Sequence, residues 1–516
     1  MTTKESNALK YVLILVLGGL VFGIDAGVIS GTVKFIKAQF ELDSLQIGTV
    51  VSAPALGAII ALLFSGKVAH AIGRKKAMII VGFLYLISAI GTTFAPNYEI
   101  LIIARLIGGL GFCSITITTM YLGEITPANI RGRSVTINQV AMGLGFFIVA
   151  AFNYFLVSYA LSHYPSINEN NIWRYMFSVQ IPVVAVWIFL LTKLPESPRW
   201  LMIKGYDKEC CDVLSLVNEK EEMLIVADEI RENVRKNDCN LPYGQQFKLL
   251  FTPRMRTVLI IGTILAIAQP LVGMGAISYY TPTIFEQTGL SQNNAFLQTA
   301  IVGLFCVFCA VVSAMLVEKV GRRPILIFGL TIVVLSHAVI SYSFKNATYE
   351  VTAKSLASIS HVVDTAPLLE EVGHVYKSDV KFKNMLISKY SKRDIDLHEN
   401  VFMRAFANVN IWAVLISIFA VKGAFFLSIG PLMWVVYSEI MPNETRTLTI
   451  TTFSLLHSTV GFFVQKLFPW ELANLGSSMT FFIFGACSLV GLLCLIFLLP
   501  ETKGKSIEKI EELLVK

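Results

Sequence analysis

Charged residues are scarce in this sequence. Asp, Glu, Lys and Arg make up 15 % of its 516 positions, against 55 % hydrophobic residues. A soluble chain of this length exposes too much surface to be covered by so few charges. No phosphate-cradling glycine loop is present, so no ATP-driven machine is expected. Ser, His and Asp occur in apolar stretches with no motif that assembles them, which gives no support to an enzyme. No His, Cys, Asp or Glu cluster has metal-ligand spacing, so neither metal nor cofactor is expected. The cysteines are Cys113, Cys210, Cys211, Cys239, Cys306, Cys309, Cys487 and Cys494, all in apolar stretches or one polar linker, which predicts no disulfides. Cys306 and Cys309 form a CxxC inside an apolar run without further ligands, which reads as core filling. The net charge of +7 is confined to particular loops and is not a nucleic-acid signature. A cleavable signal peptide is not expected, because the first apolar run is too long and has no small-residue cleavage site.

What the chain has in abundance is long apolar runs, with a mean hydropathy of +0.66. A helix needs about 20 apolar residues to cross the hydrocarbon core. Twelve candidates, spans 1 to 12, run over 11–33, 47–68, 77–95, 100–120, 133–157, 174–193, 256–281, 295–318, 324–344, 409–438, 446–469 and 475–499. The expected fold is an all-α membrane protein of two six-helix halves. Arg74, Lys75 and Lys76 follow span 2, Arg131 and Arg133 follow span 4, and Arg254 and Arg256 precede span 7. Arg322 and Arg323 follow span 8, and Arg446 follows span 10. All fall on one side, which the positive-inside rule makes cytoplasmic, with both termini.

The expected organisation is a first half at 1–194, a linker at 195–250, a second half at 251–499 and a tail at 500–516. The linker, with "NEKEEMLIVADEIRENVRK", reads as short amphipathic helices. A polar insert at 345–408 joins spans 9 and 10 on the outer side and is longer than a connection requires. It contains the pattern Asn346-Ala-Thr348, a glycosylation sequon in a eukaryotic setting only. The halves repeat: "GKVAHAIGRKK" after span 2 matches "VEKVGRRP" after span 8, and "YLGEITPANIRG" after span 4 matches "VYSEIMPNETR" after span 10. Such a parallel repeat belongs to a rocking transporter whose site lies between the halves near the midplane. Arg74, Arg322 and Arg323 are expected to pair with Glu124 and Glu439 at the rim. These pairs would latch the state that opens outward.

One residue stands out in span 1. Asp25 lies inside "LVFGIDAGVISG", where an ionised carboxylate is expensive unless it is partnered. Arg105 of "ARLIGGLGF" in span 4 lies at a similar depth, and Gly108, Gly109 and Gly111 allow a close neighbour.

The segments "GRKK", "YLGEITPANIRGR", "LPESPRWLMIKG", "GRRP", "SEIMP" and "LPETKGKS" resemble the sugar porter family of the major facilitator superfamily. "NYFLV", "WRYMF" and "FLQTAIVG" are most similar to its bacterial proton-coupled xylose symporters. The resemblance implies alternating access and a central polyol-shaped site in a monomer spanning a plasma or inner membrane. Its partners would be a sugar or polyol, a proton and the lipid bilayer. It gives Asp25 and Arg105 the role of a proton switch, and gives Arg74, Glu124, Arg131, Glu196, Arg322, Arg323, Glu439 and Arg446 to the rim latch.

The resemblance thins at the substrate. Family members carry Q-Q-x-x-G-x-N on span 7. Here Gln269 keeps the first amide, while Pro270 and Gly275 replace the other two. Gln139 of span 5 is kept, but a further family glutamine is Phe146, and a span 11 amide-tryptophan pair is His457-Ser458. Trp434, Tyr279, Tyr280 and Phe22 remain as lining candidates. Each lost partner of a buried polar ligand costs about 1–3 kcal/mol, so other groups must compensate or the substrate differs. Lys422 and His457 are the candidates. Lys422 either snorkels to the outer rim or gives a cationic contact to an acidic substrate. Pro270 also removes a backbone N–H, which predicts a break in span 7 near 270–275. Proton-coupled symport of a monosaccharide or polyol is the expected function. Carriage of an acidic sugar, facilitative uniport and a non-transporting sensor are the alternatives. The sensor is disfavoured by the short tail.

Overall fold

A computed structural model describes residues 3–126, 128–237, 252, 255–441 and 446–503. Arg254 lies outside them, as do the side chains of Arg131 and Arg446. In lipid a chain must satisfy its own backbone groups, and here it does so almost wholly with helices. Span 1 is Thr3–Gln39, span 2 Ser44–Ile72, span 3 Arg74–Thr93, and span 4 the pair Tyr98–Leu110 and Ser114–Ile125. Span 5 is Ala128–Phe155, and span 6 the pair Ile172–Ser178 and Gln180–Leu191. Span 7 is Arg256–Leu271 and Met274–Gln287, span 8 Gln292–Val320, span 9 Arg322–Lys345, and span 10 Ile411–Leu427 and Ile429–Ile440. Span 11 is Arg446–Asn474 and span 12 Gly476–Leu498. Eleven of these stretches are long and apolar enough to cross a membrane. The other is span 11, whose 29 residues include His457, Gln465 and Lys466.

Glycine fixes how span 1 sits. Gly19, Gly23, Gly27 and Gly31 recur every four residues, and each touches span 5 so closely that no side chain would fit. A Cβ on Gly23 would lie 2.1 Å from the Met142 carbonyl. This ridge clamps one face of span 1 to span 5 and turns Asp25 away from it, toward span 4.

Span 7 breaks where the sequence predicts. Pro270 gives no N–H, Val272 closes the first piece by donating to the Ala268 carbonyl, and Gly273 takes the left-handed conformation at φ 78°. A second break falls in span 10, where the apolar run 409–438 predicts one continuous helix. Pro431 leaves the Leu427 carbonyl without its helical partner, and the chain turns at Ser428, whose hydroxyl donates to the Ala424 carbonyl at 2.6 Å.

The halves touch at middle depth and on the side of the insert. Gly48 of span 2 meets the Lys466 carbonyl of span 11, and Gly303 of span 8 meets Phe147 of span 5. Lys34 of span 1 lies 3.5 Å from Glu286 of span 7. The linker forms helices Pro198–Ile203, Asp207–Ser215 and Lys220–Asn237 around Leu201, Met202, Cys210 and Leu214. Lys4 ties them to span 1 through Glu219 at 3.0 Å.

The insert is a small fold in its own right. Strands β1 (Thr348–Glu350), β2 (Val375–Tyr376) and β3 (Ala407–Asn408) form an antiparallel sheet in the order β2-β1-β3. Helices Asp379–Lys389 and Lys392–Phe406 cover a core that includes Tyr349, Phe382, Phe402 and Phe406. Asp379 accepts from the Ser477 N–H at 2.8 Å, capping the start of span 12. Glu399 pairs with Lys383 at 2.6 Å. Burial opposes the charged form of Glu399, but Lys383, Lys37 and Lys34 together hold its carboxyl down to about 2. The seven described cysteines are all free.

Candidate functional site

Asp25 and Arg105 meet in the middle of the first half. Each is 1 % exposed. Arg105 Nη1 donates to the Asp25 backbone carbonyl at 3.4 Å and stands 3.9 Å from the carboxylate. Neither carboxylate oxygen has a hydrogen bond among the described residues. The pair is therefore loose, with its charges apposed but not locked. The glycines of span 4 act as expected. Gly108 faces the Ser88 hydroxyl and Asp25, Gly109 presses on the Pro54 backbone, and Gly111 lies against the Tyr85 ring. Phe177 of span 6 lies 5.8 Å from the guanidinium. Tyr279, from the outer piece of span 7 in the other half, is half-buried.

The polar candidates beyond this pair divide. Gln139 and Gln269 are half-buried. Trp434 is 42 % exposed, and its ring meets His457 edge to face at 5.9 Å. The buried His457 Nδ1 has no hydrogen-bond partner among the described residues, which leaves it for a ligand or water. Phe22 packs edge to face on Phe112 at 4.6 Å, and Phe146 lies over Gly27. Two candidates are elsewhere. Tyr280 is 2 % exposed and packs on Phe468 at 5.2 Å, in the aromatic core between spans 7, 11 and 12. Lys422 neither snorkels nor lines an opening. It is 7 % exposed and donates to Thr281 at 3.3 Å, because span 10 turns it toward the outer piece of span 7.

At the basic rim the repeat becomes geometry. Arg74 donates to both oxygens of Glu124 at 2.9 Å and to the Ala69 carbonyl, while Glu196 accepts from the N–H groups of Arg74 and Lys75. In the second half Arg322 reaches Glu439 at 2.9 Å and the Val317 carbonyl, while Glu501 accepts from the N–H groups of Arg322 and Arg323. Gly73 and Gly321, at φ 97° and 106°, make the matching turns. Each cluster joins helices of one half, with Arg74 on Glu124 and Arg322 on Glu439. One expectation changes. The Arg323 guanidinium goes to the Ile496 carbonyl, not to Glu439, because Glu501 already fixes its backbone. Glu501 was missed as a site residue. Its signal was the repeat of "LPES" at 194–197 in "LPET" at 499–502.

Twelve helical spans in two matching halves, with a buried ion pair near the centre of the first, give the major facilitator fold of a multi-pass membrane transporter. The sequence profile described as "Sugar (and other) transporter" matches residues 11–365 and 401–514. The chain belongs to that family. It is 27 % identical to the Arabinose-proton symporter of Bacillus subtilis, over 99 % of this chain and 97 % of that protein. It is 30 % identical to the Major myo-inositol transporter IolT of the same organism, over 99 % and 95 %. It is 29 % identical to the D-xylose-proton symporter of Escherichia coli K12, over 99 % and 96 %. The fold is similar to the inward open conformation of the E. coli xylose transporter XylE, with a TM-score of 0.73 at 26 % identity over 98 % of this chain and 99 % of that one. XylE bound to 6-bromo-6-deoxy-D-glucose gives 0.71 at 26 % identity over 99 % and 100 %.

Proposed function

We propose that this transporter moves a neutral sugar or polyol together with a proton. The observation that carries the reading is the Asp25 carboxylate, buried beside Arg105 with neither oxygen hydrogen-bonded to any described residue. A carboxylate held in that way takes up a proton readily once the arginine turns elsewhere. Protonation leaves Arg105 without its counter-charge, held on span 1 only by the Asp25 carbonyl to which it already donates. Proton binding thereby loosens the contact between spans 1 and 4.

Residues 1–194 and 251–499 move as two bodies, with 195–250 as their tether, and the basic rim with both termini faces the cytoplasm. In that orientation the closed insert side makes this the inward-facing state. The acidic-substrate alternative is weakened, because Lys422 is spent on Thr281. The named relatives that carry arabinose, xylose and myo-inositol support the neutral reading. The test is uptake into proteoliposomes of labelled pentoses, hexoses, inositol and uronates with an imposed pH gradient. Concentrative uptake of a neutral member is expected. Uptake of uronates alone, or uptake indifferent to the gradient, would overturn it.

A further inference from the structure

Span 7 lacks an amide at position 275, and another helix delivers one to the same place. Gly275 faces span 11. A Cβ there would lie 3.0 Å from Gln465 Nε2, and one on Gly461 would lie 3.8 Å from the Pro270 ring and 3.9 Å from Gln465 Nε2. Gly461 and Gln465 are one turn apart, so they form the face of span 11 that meets the break in span 7. Gln465 is half-buried, and its carboxamide makes no hydrogen bond with the described residues. An amide held at membrane depth without a protein partner is costly unless water or a ligand satisfies it. The next residue, Lys466, has its carbonyl against Gly48 of the first half. Gln465 therefore lies where the broken helix and the interface between halves converge.

We propose that Gln465 is a specificity-determining residue that contacts the substrate in place of the missing amide of span 7. The proposal rests on the sugar or polyol reading. A carboxamide offers a carbonyl acceptor and two N–H donors, which suits adjacent hydroxyls of a neutral polyhydroxylated ring. Gly275 is the permissive half of the exchange. An asparagine at 275 would place its Cβ 3.0 Å from the Gln465 amide, so the carboxamide would have to shift to make room for it. Relative to a carrier with asparagine on span 7, the recognised hydroxyls are then contacted from span 11.

The experiment uses the purified full-length protein in proteoliposomes, with D-xylose, L-arabinose, D-glucose and myo-inositol as probes in counterflow. Gln465→Ala is expected to raise the half-saturating concentration of the preferred probe about tenfold or more, with the pH dependence of uptake unchanged. Gly275→Asn with Gln465→Ala is expected to recover affinity and change the order of preference among the probes. Unchanged affinity and order in Gln465→Ala would overturn the proposal. Where that variant does not fold, Gln465→Glu keeps the shape but removes the donor, and unchanged affinity there overturns it equally. A wild type that moves none of the four probes would overturn the neutral-substrate reading itself, a result distinct from an unaffected variant.

Discussion

The proposed symport makes Asp25 the side chain on which coupling turns. On that reading its neutral isostere separates accumulation from exchange. Asp25→Asn keeps the volume, and its side-chain oxygen can still accept from the Arg105 guanidinium, but it cannot take up or release a proton. Uphill accumulation should disappear while exchange of substrate across the membrane persists. Concentrative uptake measured beside counterflow in the same vesicles checks this, and normal accumulation would be decisive against it. Arg105 behaves differently. Removing it strands a buried charge, at a cost of about 3–5 kcal/mol, so Arg105→Ala should lose stability as well as coupling. A double variant with Asp25→Asn should recover much of the lost stability, read as the melting temperature of the purified protein.

At the scale of elements, the glycine ridge of span 1 and the insert make contrasting predictions. Gly23→Val places a branched side chain where the Met142 carbonyl already stands at 2.1 Å from a Cβ. Overpacking of this kind costs about 1–3 kcal/mol or more, so the variant should give little monodisperse protein. For the insert, Glu399 is held at about 2 against an ordinary 4.5. A depressed carboxylate stabilises above its ordinary value and loses that contribution as pH falls through its folded value. The stability gap between wild type and Glu399→Gln should therefore be constant above about pH 4.5 and shrink toward pH 2. Melting curves across that range test it. The elements differed in how plainly the sequence announced them. The spans, the Pro270 break and the Asp25–Arg105 pair were legible because apolar length, a missing N–H and a lone charge each have one structural answer. The break at Ser428 was not, because the apolar run continues across it and only Gly430-Pro431 marked the place. Tyr280 and Lys422 could not be placed either. Which face of a helix looks inward is decided by rotation at the breaks in spans 7 and 10. The insert sheet was hidden because its strands are two or three residues long.

Across the whole molecule, the two rim clusters repeat one another down to individual N–H groups. Each arginine is bound twice, by a carboxylate on the span 4 or span 10 side and by the glutamate after span 6 or span 12. The halves are thus internally braced in the same manner, and damage to either should look alike. Glu124→Gln and Glu439→Gln should slow turnover by comparable factors and leave substrate preference unchanged. Initial rates over a range of substrate concentrations test this, and a change of preference in one variant alone would refute the symmetry.

The insert also imposes a mechanical condition. Its helix Lys392–Phe406 sits on span 1, which belongs to one half, and on the outer piece of span 7, which belongs to the other. The proposed two-body motion shears that seat in every cycle. The seat is built from Lys34, Lys37, Glu286, Glu399 and Lys383, long side chains that can trade partners as the surfaces slide. An apolar seam would have to be torn open and wetted at each turn, whereas this one works as a slip joint. It should also wear the signature of one. Raising ionic strength, which screens such contacts within about 10 Å at 0.1 M, should speed opening of the insert side without altering the braces at the opposite rim.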